Sequence, residues 1–288
     1  MLQAWSRPLP DNLPVTRSNM YPSTSLPALA SCLSDLEIAQ FHDQGYLIVR
    51  GLIPESVREA MVAVTQAGLA HEIPPVEFEA EVRYPGSPAS LEAAGGRTVR
   101  RLKQAYSRDP VFGEWMCSEP LAGRLQQLFD GQRVVMPLAH HNCVMTKQPQ
   151  FSSDTLWHQD MRYWSYERPD LISVWLGLGE EHPENGCLWV IPGSHRVSFR
   201  AEQFDAALFF RTDLPENQTL IETKIPVELQ PGDVLFFHSL TFHAASKNYT
   251  NQPKFSAVFT FRPADNLPRP GSRSAAAAEL LLPDMHRT

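Results

Sequence analysis

The chain has 288 residues, 43% of them hydrophobic and 20% charged, which is enough to bury a sizeable core and excludes a disordered or fibrous protein. Its 25 Lys and Arg against 32 Asp and Glu leave a formal net charge of −7, which argues against a chain whose main task is to hold nucleic acid or an anionic membrane. Cys32, Cys117, Cys143 and Cys187 stand far apart with no CxxC pair, and no signal-peptide or membrane-spanning stretch is legible, so a cytoplasmic globule is expected.

In chain order, residues 1–33 read as an irregular arm rich in Pro, Ser and Asn. Ser34 with Glu37 forms a capping box that opens a short helix through Leu36, Ile38, Ala39 and Phe41, ended by Gly45. A strand at 46–49 follows, then a helix from Pro54 to about Glu72 with Val57, Met61, Val64 and Leu69 at helical spacing. Two more helices are predicted at 111–117 and 120–129, closed by Gly131. Beyond it the pattern becomes extended, with strands expected at 134–146, 172–178, 187–191, 220–227, 234–237 and 255–261, separated by Asn185-Gly186, Pro192-Gly193 and Pro231-Gly232 turns. Short, frequent strands without long intervening helices indicate an antiparallel sandwich or barrel. The expected architecture is α+β: one domain over 34–265, with a helical layer (34–131) on a jelly roll (132–265), followed by a C-terminal tail at 266–288.

The sharpest chemical signal is Trp157-His158-Gln159-Asp160. On extended backbone, positions two apart project from one face, so His158 and Asp160 present an imidazole and a carboxylate side by side. A second histidine would complete a two-His, one-carboxylate face with open positions, the arrangement suited to ferrous iron that must also bind a cosubstrate and O2. His238 and His243, after the Pro231-Gly232 turn, are both candidates.

Residues 35–262 resemble the phytanoyl-CoA dioxygenase family of iron- and 2-oxoglutarate-dependent oxygenases. The resemblance rests on Phe41-His42-Asp43-Gln44-Gly45-Tyr46, on His158-Gln159-Asp160, on the block from Glu184-Asn185-Gly186 through Pro192-Gly193-Ser194-His195, and on Pro231-Gly232-Asp233 leading to His243-Ala244-Ala245-Ser246-Lys247-Asn248. It implies a double-stranded β-helix in which His158, Asp160 and His243 hold Fe(II), and it favours His243 over His238. A carboxylate at position 160, where related halogenases carry a small residue, argues for hydroxylation. The family arginine that binds the distal carboxylate of 2-oxoglutarate, eleven residues after the distal histidine, is here Lys254, followed by Ser256. A lysine supplies charge without the planar fork, and Arg262, of the same strand parity, is the alternative. Trp175, His141 and Asn142 are the other expected cosubstrate neighbours.

The aromatic run Met161-Arg162-Tyr163-Trp164 with Tyr166 reads as a substrate-lining loop, suited to a largely apolar small molecule. Arg97, Arg100, Arg101 and Lys103 read as a solvated charged face, with reception of a substrate anion as the alternative. The expected activity is C–H hydroxylation coupled to 2-oxoglutarate decarboxylation to succinate and CO2. The competing expectations are a cupin-like metal oxygenase or isomerase without 2-oxoglutarate and an inactive jelly-roll ligand-binding protein.

Overall fold

Local signals place the first elements where they are predicted. In the computed structural model, which describes residues 32–285, Ser34 accepts from the Glu37 amide and Glu37 accepts from the Ser34 amide, opening helix α1 (Asp35–Gln44). Gly45 ends it at φ +76°, and a Cβ there would lie 2.4 Å from His195 and 2.6 Å from Thr241, so both backbone conformation and close approach demand glycine. Strand β1 (Tyr46–Val49) and helix α2 (Glu55–Ala70) follow.

Between α2 and the next expected helix the chain forms elements that the sequence pattern did not announce: β2 (Val76–Phe78), α3 (Glu79–Val82), β3 (Val99–Lys103) and α4 (Ala105–Arg108). Helices α5 (Pro110–Met116) and α6 (Glu119–Leu128) fall as expected. The predicted strand at 134–146 is two, β4 (Val134–Pro137) and β5 (Asn142–Lys147), followed by β6 (Thr155–His158), β7 (Ile172–Gly177) and β8 (Leu188–Val190). The segment 220–227, expected as strand, begins as the end of helix α7 (Pro215–Ile221) and then contributes only β9 (Ile225–Pro226). Strands β10 (Val234–His238), β11 (His243–Ala245) and β12 (Lys254–Pro263) complete the barrel strands. The residues expected as a tail instead add β13 (Glu279–Leu281), paired to β4, with Leu282 buried. Residues 1–31 of the expected arm lie outside the described residues; Leu33 is buried, its backbone bonded to Gln127 of α6.

The strands form two antiparallel sheets. The larger runs β1-β10-β7-β12-β5-β3-β2, with β4 and β13 attached through β12; the smaller runs β6-β11-β8-β9. Alternation along β7, β10 and β12 divides the larger sheet. Val174, Leu176, Phe236, Ala257 and Phe259 face outward to join Phe41, Met61, Phe112 and Leu125 of the helices. Trp175, Leu235, Phe237 and Val258 face inward, against Leu188, Val190 and Ala245 of the smaller sheet. This is the expected α+β jelly roll with helices on one outer face. Among the described residues, no helix is long and apolar enough to cross a membrane.

Candidate active site

The site forms where the smaller sheet brings two histidines level. His243 at the start of β11 is the register partner of His158 at the end of β6, and their rings lie 4.2 Å apart. Gln159 is extended (φ −109°, ψ 139°), so Asp160 returns to the side of His158 although it opens a 3-10 turn (Asp160–Tyr163) rather than continuing the strand. Oδ1 of Asp160 lies 3.9 Å from Nε2 of His158 and 3.6 Å from Nε2 of His243, and all three side chains are buried. These groups approach one another within the reach of a single metal ion.

Hydrogen bonds orient each group. Nδ1 of His158 lies 2.8 Å from the Leu156 carbonyl, and Nδ1 of His243 lies 3.0 Å from the Thr241 carbonyl. A carbonyl only accepts, so each Nδ1 carries the proton and each Nε2 lone pair is left to face Asp160. Ser173, on the inner face of β7, donates to Asp160 Oδ2 at 2.7 Å and so ties the turn to the larger sheet. Burial pushes the His158 imidazole well below its usual pKa, with nearby His243 adding to the effect. Burial raises the Asp160 carboxyl, but His141, His243, His158 and the Ser173 hydroxyl outweigh it and hold it below the ordinary aspartate range. Oδ1 of Asp160 is buried and accepts no hydrogen bond, while two imidazole lone pairs point toward it. Three such donors without a proton between them fit a divalent cation of the first transition row.

His238 lies outside this group. Its Nδ1 accepts from the Leu240 amide at 3.1 Å and its ring packs 5.4 Å from that of His195, which sits in a turn as expected. Of the other expected residues, His141 lies 3.7 Å from Asp160 Oδ2 and lines the cavity beside the triad. Asn142 does not: its side chain faces the helices and accepts from the Tyr106 amide at 2.8 Å, because adjacent strand residues point to opposite faces. Trp175 and Lys254 line the cavity, but both are bonded to Glu181, at 2.8 Å each, and Ser256 donates to the same carboxylate at 2.6 Å. Arg262 is a correction. It shares the parity of Lys254, yet it sits at the far end of β12, where its guanidinium pairs with Glu279 of β13 and donates to the Pro263 and Ala264 carbonyls.

The basic run is a second correction. Arg100 is 1% exposed and its guanidinium donates to Ser153 at 2.8 Å and Thr155 at 2.9 Å beside Glu79, while Arg101 lines the cavity and pairs with Glu77 at 3.3 Å. Only Arg97 and Lys103 remain outside. The aromatic loop divides similarly: Trp164 and Tyr166 are core residues packed with Leu171, and Tyr163 alone of the three reaches the cavity. Its hydroxyl meets that of Tyr84 at 3.1 Å, and Phe209 packs edge-on to Tyr84 and His158, with the Arg162 guanidinium 3.5 Å from the Phe209 ring centroid.

Lys147 was missed as a site residue. It lies on β5 directly opposite Lys254, lines the cavity, and donates to the Ser153 carbonyl at 2.5 Å. Burial, together with Arg100 and Lys254, pushes its ammonium well below the lysine range. Its parity with Cys143 and Met145 was the available signal; Tyr84 and Phe209 gave none, since each reaches the site from a loop far away in the chain, and Glu181, just past β7, gave none because its partner Lys254 is distant in sequence.

The sequence model of the family described as phytanoyl-CoA dioxygenase (PhyH) matches residues 41–256. Phytanoyl-CoA dioxygenase 1 of Oryza sativa subsp. japonica is 25% identical over 174 residues, covering 60% of this chain and 60% of the rice protein, less than two thirds of that relative's length. The peroxisomal phytanoyl-CoA dioxygenase of Homo sapiens is 22% identical over 263 residues, 87% of this chain and 75% of its own. Among solved structures, EctD from S. alaskensis with 2-oxoglutarate and 5-hydroxyectoine shares the fold with a TM-score of 0.68 at 20% identity, over 82% of this chain and 78% of that one. With a family match spanning most of its length and a His-Asp-His cluster inside a jelly roll, the chain belongs to the phytanoyl-CoA dioxygenase family of iron- and 2-oxoglutarate-dependent oxygenases.

Proposed function

We propose that the protein hydroxylates a C–H bond of a small organic molecule, with iron held by His158, Asp160 and His243, and with 2-oxoglutarate as cosubstrate yielding succinate and CO2. The observation that carries this reading is the buried Asp160 Oδ1, which accepts no hydrogen bond and faces two Nε2 atoms whose rings are locked by carbonyls. When bound, iron supplies the activation of O2 and the oxidative chemistry that side chains cannot perform alone.

The chain's own residues orient and shield. Ser173 fixes the Asp160 carboxylate through Oδ2 and leaves Oδ1 for the metal. Arg101, Lys147 and Lys254 line the adjoining cavity and offer N–H donors to a dicarboxylic cosubstrate, with Glu77 paired to Arg101 and Glu181 to Lys254. Leu188, Phe237, Ala245 and Val258 provide the apolar part of the wall and keep water from the reacting centre. Tyr84, Tyr163 and Phe209 gather at the mouth, with Arg162 stacked on Phe209, and form the recognition surface for a substrate with a substantial apolar or aromatic body.

The test is an incubation of the iron-loaded protein with 2-oxoglutarate, O2 and a pool of small metabolites. The expected result is succinate release that rises with one component of the pool, together with a product of that component heavier by one oxygen atom. Absence of succinate with and without the pool, from protein shown to hold iron, would overturn the proposal.

A further inference from the structure

The cation in the position of the family's carboxylate anchor already holds a carboxylate of its own chain. Lys254 Nζ donates to Glu181 Oε2 at 2.8 Å, and Glu181 Oε1 accepts from Ser256 Oγ at 2.6 Å and from Trp175 Nε1 at 2.8 Å. The side chains of Lys254 and Glu181 are 3% and 1% exposed. Glu181 has no slack in its backbone either: its amide donates to the Leu229 carbonyl at 2.8 Å and its carbonyl accepts from the Leu229 amide at 3.0 Å. An ammonium has three N–H donors, and here one is given to Glu181 and one is directed to Ser256 Oγ at 3.1 Å. One donor is left for the cavity, but the charge behind it is balanced.

We infer that Glu181 is a specificity-determining residue. By neutralising Lys254 it makes the inner end of the cavity discriminate only weakly between a 2-oxo acid with a distal carboxylate and one with a neutral tail. The inference rests on the proposed use of 2-oxoglutarate. Its physical basis is that a ligand carboxylate arriving at Lys254 meets the field of a second, permanently seated carboxylate within one hydrogen bond of the same nitrogen, in an interior where charges are poorly screened. Removing the Glu181 charge, while keeping an acceptor for Trp175 and Ser256, should expose the full cation.

The experiment is isothermal titration calorimetry on the full-length protein loaded with Mn(II), which permits binding without turnover. The titrants are 2-oxoglutarate and 2-oxopentanoate, which differ only in the distal carboxylate. The expected result is that Glu181→Gln raises the affinity ratio of 2-oxoglutarate over 2-oxopentanoate by about tenfold. Glu181→Gln leaves Lys254 facing Lys147 without a counter-charge, so the double variant Lys254→Gln with Glu181→Gln, which removes both charges, serves as the second test. Its ratio should stay within about twofold of the wild type. A ratio that is unchanged or lowered in Glu181→Gln, or that collapses in the double variant, would overturn the inference and make Glu181 a residue that merely holds a working Lys254 in place. Failure of both 2-oxo acids to bind any Mn(II)-loaded form would instead overturn the reading of 2-oxoglutarate as cosubstrate, and this inference with it.

Discussion

The two faces of the larger sheet are built from alternate residues of the same strands, and they have opposite characters. The outward residues, Val174 and Leu176 on β7, Phe236 on β10, Ala257 and Phe259 on β12, are apolar and buried against the helices. The inward residues on the same strands include Ser173, Trp175, Lys254 and Ser256, whose polar atoms hold Asp160 or Glu181. The outer face supplies hydrophobic stability, and the inner face adds directed hydrogen bonds and charge to its own apolar cluster of Leu235, Phe237 and Val258. A site built this way can change its chemistry by alternate substitutions without disturbing the packing that holds its strands.

The largest effect is expected at the outer face. Phe259→Ala removes a fully buried ring from the helix-facing core and should lower unfolding free energy by roughly 3–5 kcal/mol in denaturant titration, while the metal affinity of the folded fraction stays at the wild-type value. Unchanged stability, or lost metal binding in protein that remains folded, would show that the two faces are not separable in this way.

A smaller effect is expected where charge is buried within the fold itself. Arg100→Met should cost roughly 3 kcal/mol, because it leaves the Glu79 carboxylate buried with only its Ser153 bond. Adding Glu79→Leu to that variant should recover most of the loss, measured by the same unfolding titration. A single variant as stable as the wild type would make the pair dispensable.

The smallest effect, taken per pH unit, comes from two buried histidines. Burial, with His141 and Arg273 contributing, pushes His140 down to about 3, and burial, with His195 and His42 contributing, pushes His238 down to about 4. The folded protein therefore keeps both neutral while the unfolded chain protonates them near the ordinary pKa of about 6.5. Their contribution to stability is fully present above that value and is lost as pH falls toward 4 and 3, by on the order of 1 kcal/mol per pH unit for each group. Unfolding titrations of metal-free protein at pH 7 and pH 5 should show the decline, and His238→Gln should make it shallower. Greater stability at pH 5 than at pH 7 would show that the fold does not keep His140 and His238 neutral.

Legibility in the sequence followed the range of the interaction. The α1 capping box, the Gly45 stop, most barrel strands and the His158/Asp160 pair depend on neighbours within a few residues, and they were readable. His243 was one of two open candidates until the family resemblance chose between them, and its place opposite His158 is a matter of sheet register. What escaped depended on partners distant in the chain. Arg100 reads as a surface charge until Glu79, Ser153 and Thr155 are brought around it. Lys254 reads as a free cation until Glu181 is seated on it, and Arg262 reads as a cavity residue until β13 supplies Glu279. Asn142 failed for a local reason, since its neighbour His141 took the inward position.

The proposed iron site is formed by His158, Asp160 and His243, with 2-oxoglutarate used at the metal. It is tested most directly by anaerobic titration of Fe(II) into the protein with 2-oxoglutarate present, following the weak visible absorption band of an iron-bound 2-oxo acid. The wild type and His238→Ala should both develop the band, and Asp160→Ala and His243→Ala should not, although all four remain folded by circular dichroism. A full band in Asp160→Ala, or a band lost in His238→Ala and kept in His243→Ala, would contradict the assignment.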